Sequence, residues 1–208
     1  MENWGSIISA LAAILIAIIL PLIARRRRKE WAADKVEELY RHFRALGARV
    51  SRVEKGDERE RTWLARASGH KAEGSINLED RNIDSIDVLS ASTQYGTRYS
   101  IEYVVQASNI IGQRVLKKTR LTKKKSPPLW GKVVAVDWKG DESLAQSLNV
   151  DYSLADRLLR ADMNVLKGSI GIFPEPKYGY ARIHTDYFLP SPEMFEAISS
   201  VARHIKSW

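Results

Sequence analysis

The chain contains no cysteine, which excludes thiol catalysis. The same absence fits a cytosolic domain without requiring one, since many exported domains also lack cysteine. Histidine is scarce. The four copies, at 42, 70, 184 and 204, have no metal-ligand spacing to one another, so a zinc site has no support. Gly168 and Gly171 fit neither the Walker pattern nor the dinucleotide fingerprint, and there is no G-x-S-x-G elbow. Asp80, Asp84 and Asp87 lack the spacing and the closing Glu of a calcium loop. Asp57, Glu58 and Glu60 form an acidic turn that reads as solvated. No internal repeat and no long polar linker is present. These absences point to no cofactor, no metal and no marked nucleophile.

One further absence organises the rest. From Ile7 to Ala24 there is no charge, and Ser9 is the only polar side chain. Eighteen helical residues rise about 27 Å, close to the thickness of a bilayer core. Trp4 and Trp31 flank the run, where indole favours the headgroup level. Residues 1–24 therefore read as a transmembrane anchor. Arg25, Arg26, Arg27, Arg28 and Lys29 follow at once, and the cation-rich side of a span stays cytoplasmic. The reading places the N-terminus outside and the remainder in the cytoplasm. A cleaved signal would need a basic n-region, which Met1-Glu2-Asn3 does not supply. Ser9, Ala13 and Ala17 form a small-residue stripe that permits self-association of the span.

The charge is concentrated. The chain carries 33 basic and 25 acidic residues, a net of +8. Five of the cations lie at 25–29. Seven more are Arg114, Lys117, Lys118, Arg120, Lys123, Lys124 and Lys125. Taking these twelve from 33 leaves 21 basic against 25 acidic residues, a net of −4. The body of the domain is mildly acidic, so the two basic stretches read as one orienting surface. Arg25 to Lys29 with Lys117, Lys118, Arg120, Lys123, Lys124, Lys125 and the nearby Trp130 are the candidate contacts to anionic lipid headgroups. Nucleic acid is the alternative partner for the same cations, and a solvated strand and loop is the plain reading. Ser126-Pro127 is a candidate phosphorylation site that would weaken docking.

Local patterns predict an α+β domain over 48–208, a mainly antiparallel sheet bracketed by helices, with a basic and amphipathic segment over 25–47. Val36, Leu39, Tyr40, Phe43 and Leu46 recur at helical spacing, and Gly47 suits the helix end. Strands are expected from Arg49, at 61–67, at 75–78 and at 83–89. Over 99–107, Tyr99, Ile101, Tyr103, Val105 and Ala107 face one way and Ser100, Glu102 and Gln106 the other. Residues 114–122 read as a basic strand antiparallel to it. Lys132 to Trp138 reads as a buried strand. Asp141 and Asp151 (or Ser153) are expected to cap two short helices, and Ser191 with Pro192 to start a third. Residues 169–173 and 178–188 read as a hairpin. His184 and Asp186 share a strand face and are a candidate acid–base pair, against the plainer reading of a solvated face.

The function these features imply is a single-pass membrane protein whose cytosolic domain is a non-catalytic binding or scaffolding module at the inner leaflet. A membrane-tethered hydrolase or transferase, or a membrane-held nucleic-acid-binding domain, are the alternatives.

Overall fold

The computed structural model describes residues 30–53, 70–79, 82–113, 116–128, 131–161, 163, 166 and 168–208. The apolar run, Arg25 to Lys29, the strand expected at 61–67 and Trp130 lie outside these. Among the described residues no helix is long and apolar enough to cross a membrane.

Among the described residues eight strands form one antiparallel sheet. They are β1 (Arg49–Arg52), β2 (Lys71–Glu79), β3 (Ser85–Thr93), β4 (Gly96–Gln106), β5 (Thr119–Ser126), β6 (Lys132–Lys139), β7 (Gly171–Glu175) and β8 (Tyr180–Asp186). Their order across the sheet is β1-β2-β3-β4-β8-β7-β5-β6. The hairpin of β7 and β8 sits between β4 and β5, so the basic strand pairs with β6 and β7. The local reading that set it beside β4 is corrected here. A 3-10 turn at Ser108–Ile110 leads the chain away from β4, whose other edge belongs to β8.

Among the described residues four helices complete the domain: α1 over 30–45, α2 (Glu142–Val150), α3 (Tyr152–Arg160) and α4 (Pro192–Lys206). Their starts follow the capping chemistry. The side chains of Asp141, Asp151 and Ser191 accept from the amides of Leu144, Leu154 and Met194, and Pro192 occupies the first turn of α4. All four pack on one face of the sheet. Ile76, Ile86, Tyr103 and Ile183 lie in one register row across β2, β3, β4 and β8, and all are fully buried under the helices. α4 is the central helix, with Phe195, Ile198, Val201 and Ile205 buried and Ser199 and Ser200 buried as well. It buries its polar side because α3 and Asn82 flank it: Arg157 donates to Ser200 and Asn82 to Ser199.

The amphipathic helix α1 belongs to this core. Leu39 and Phe43 are fully buried, and the Phe43 ring meets Phe195 at 4.8 Å between centroids. Each such side chain contributes about 1.5–3 kcal/mol of hydrophobic burial. α2 and α3 close the other end over β6. There the Asn149 side chain both accepts from the Trp138 amide and donates to its carbonyl, as a neighbouring strand would. Gly140, at φ 145°, makes the turn into α2, and a side chain there would strike the backbone of Lys118 and Thr119.

Candidate functional site: the basic strand and the polar sheet face

Strand alternation divides the basic segment. Leu121 is buried under the helices, so Arg120 projects from the face opposite the described helices, in one row with Gly171 and His184. Lys117, Arg120, Lys124 and Lys125 are exposed. Lys118 is half-buried, its ammonium 3.7 Å from the centre of the Phe173 ring. Lys123 turns back to donate to the carbonyls of Met163 (3.2 Å) and Leu166 (2.6 Å). The sequence reading treated these lysines as one surface. The structure leaves Lys117, Arg120, Lys124 and Lys125 exposed and engages Lys118 and Lys123 within the domain. Lys132, absent from that reading, is exposed directly opposite Ser126 in β6, beside Lys125.

The face opposite the described helices carries charge where β4, β8 and β7 meet. Glu102 and His184 are cross-strand partners, and His184 Nδ1 lies 2.9 Å from Glu102 Oε1. Arg182 reaches Glu102 at 3.3 Å and Glu175 at 2.7 Å. Glu102 is only 4% exposed, and these partners offset the cost of burying it. The Phe173 ring lies over Gly171, in space that any side chain there would occupy. His184 meets this ring edge-on, and Arg182 and Lys118 lie against its face. Desolvation, reinforced by the charges of Arg120 and Arg182 and opposed by Glu102, lowers the Lys118 pKa below the ordinary lysine value. The imidazole of His184 is therefore oriented by Glu102 and not by Asp186. Asp186 lies opposite Ser100, its carboxylate reaching toward Gly168. Of this network the sequence marked His184 and Lys118, but not Glu102, Arg182, Glu175 or Phe173.

Beside Arg120 the sheet borders a cavity of about 520 Å³. Arg120, Lys123, Lys125 and Ser169 supply polar walls, and Leu121, Met163 and Leu166 apolar ones. Thr122 also lines it, but its hydroxyl already donates to the Asp137 carbonyl. Desolvation and the neighbouring Lys125 charge lower the Lys123 pKa, with Asp186 acting in the opposite sense. No carboxylate is among the described residues that line the cavity.

A third polar constellation joins the helices. Ser147 Oγ lies 2.7 Å from His204 Nδ1, and His204 Nε2 lies 2.9 Å from Asp151 Oδ2. The same carboxylate caps α3 through its other oxygen. Burial alone would raise the Asp151 pKa. The bonds from His204 and the Leu154 amide, with the charges of His204 and Arg203, outweigh it and hold the pKa below the ordinary value. The residue types are those of a serine hydrolase relay, but Ser147 sits inside α2. The amides that follow it are committed to helical hydrogen bonds, so the local backbone offers no oxyanion donors. This line ties α2, α3 and α4 together. Nothing local announced it, since its three members come from three helices.

Among the described residues no group of three or more His, Asp or Glu is placed to hold a metal ion. No family model matches the chain, and neither a curated protein nor a solved structure is similar to it.

Proposed function

We propose that this chain is a membrane-tethered, non-catalytic binding module whose domain meets the anionic inner leaflet through the end of the β5–β6 hairpin. The observation that carries this is the set of exposed cations there. Lys124, Lys125 and Lys132 cluster at that end, and Arg120 and Lys117 continue along the same segment. Among the described residues none of the three lysines has a carboxylate within ion-pair distance. Each cation at an anionic surface contributes about 1 kcal/mol. The apolar run at 7–24 and its five following cations support the tether and its orientation.

The test is co-sedimentation of residues 30–208 with vesicles. This span keeps α1, whose Phe43 is part of the core. Binding is expected to anionic but not zwitterionic vesicles and to fall with salt, because the attraction decays over about 8 Å at physiological ionic strength. Replacing Lys124, Lys125 and Lys132 by Gln should abolish it with the fold intact, since all three side chains are exposed. Binding that survives the triple substitution contradicts the reading. Tighter binding to single-stranded nucleic acid than to vesicles would assign the same cations to phosphate of another kind.

A further inference from the structure

We propose that Lys118 is a reversible covalent binding site for a 2-oxo acid, held as a Schiff base on the lysine amine with its carboxylate on Arg120. The proposal goes beyond the leaflet reading and uses none of the three lysines on which that reading rests. The Lys118 ammonium lies 3.7 Å from the centre of the Phe173 ring, and the Arg182 guanidinium carbon lies 5.4 Å from the same centre. Arg120 stands two residues further along on the same face, about 7 Å away at the backbone. Gly171 is directly opposite Arg120 in β7, and the Phe173 ring lies over that glycine, so one ring borders both cations. Lys118 is half-buried and Arg120 is exposed.

An ordinary lysine is a poor nucleophile at neutral pH because it is protonated. At Lys118, desolvation and the charges of Arg120 and Arg182 disfavour the proton, and Glu102 opposes them only in part. A larger share of this amine is therefore free to attack a carbonyl carbon. In the step, a C=N bond replaces the C=O bond, and the carbonyl oxygen leaves as water with the two nitrogen protons. No electrons change hands, so no oxidant or reductant is needed. The imine then takes a proton from solvent. It restores a cation where the ammonium stood, against the Phe173 face that favours one. Arg120 sets the rest of the ligand. Its planar fork matches a carboxylate through two parallel hydrogen bonds. Because the two side chains are neighbours on one face, the acid group and the carbonyl must be close together, and in a 2-oxo acid they are adjacent.

The experiment uses the full chain in phosphatidylcholine nanodiscs, incubated with pyruvate and sodium cyanoborohydride, which reduces an imine to a stable secondary amine. Peptide mass spectrometry reads the adduct at each lysine. Lys124, Lys125 and Lys132, all exposed, are the internal standards. The expected result is saturable labelling of Lys118, well ahead of all three. Arg120→Gln should reduce labelling of Lys118 by pyruvate roughly tenfold, the loss of one charge-assisted pair. Labelling by propanal, a carbonyl compound without an acid group, should fall less. Arg120→Lys keeps the charge but not the fork and should lie between wild type and Arg120→Gln. The selectivity of the wild-type chain needs no variant, so it decides the site even if a substitution fails to fold. Lys118 labelled no faster than the three standards overturns the site. Selective labelling that Arg120→Gln leaves unchanged, or that falls equally for pyruvate and propanal, overturns the 2-oxo acid. Lys124→Gln with Lys132→Gln should leave Lys118 labelling unchanged while removing leaflet binding, so the two readings fail separately.

Discussion

β4 and β6 look alike as sequence, since both carry a run of β-branched and aromatic residues, yet they end in opposite environments. In β4, Tyr103 and Val105 are fully buried, and Ser100 and Glu102 on the other face are buried too. In β6, Val134 is half exposed, Ala135 is exposed, and only Trp138 is fully enclosed. Position in the sheet decides this. β4 has strands on both sides, whereas among the described residues β6 is the last strand, pairing with β5 alone. The edge is managed in three ways that edge strands commonly use. Lysines stand at both ends, a register shift interrupts the pairing at Lys124/Lys125, and Asn149 occupies the outer side of Trp138. The central strand is thus enclosed on both faces, and the edge hairpin carries exposed cations.

The largest expected effect tests that division directly. Tyr103→Ala should cost about 3–5 kcal/mol, as for other large aromatic truncations in a core. Val134→Ala should stay within about 0.5 kcal/mol, the range of surface substitutions. Urea denaturation of both variants gives the comparison, and equal losses would break it.

A smaller effect sharpens the account of the polar face. Arg182→Met should cost about 3 kcal/mol, because it leaves the buried Glu102 without its guanidinium partner and Glu175 unpaired. Glu102→Gln in the same background should recover part of the loss. A double-mutant cycle showing no coupling would remove the network from the fold's energetics.

Smaller again is Asp151→Ala, which removes the cap of α3 and the His204 contact that ties the helices covering β6. The cost should be about 1–2 kcal/mol at neutral pH. Because the Asp151 pKa is lowered in the fold, its contribution is present above the unfolded-state value of about 3.9 and is lost as pH falls through the folded value. Stability measured against pH should therefore converge for wild type and Asp151→Asn in acid. A gap that persists at the lowest pH would contradict the assignment.

Local signals made much of this architecture legible. Asp141, Asp151 and Ser191 each announced a helix start, and the turn around Pro176 announced the β7–β8 hairpin. The amphipathic spacing of Leu39 and Phe43 announced a packed face, although not that it lies within the main core. Strand order was not legible, because pairing β8 with β4 depends on contacts across some eighty residues that no local period encodes. The same limit hid the partner of His184, since Asp186 is near in sequence and Glu102 is near in space. In the basic segment the charge itself was plain. Its division, with Lys123 held by carbonyls and Lys124 open, follows from strand alternation and from the nearby carbonyls of Met163 and Leu166.

The proposed orientation of the edge hairpin toward the leaflet is open to one direct measurement. The cysteine-free chain allows single cysteines to be placed at will, at Lys124 on β5 and at Tyr95 in the exposed β3–β4 turn. An environment-sensitive fluorophore on each, in full-length protein held in nanodiscs, reports proximity to the headgroups. The account expects a blue shift and quenching by headgroup-labelled lipid at position 124, stronger with anionic lipid, and neither at position 95. Equal signals at both positions, or a response at 95 alone, would contradict it.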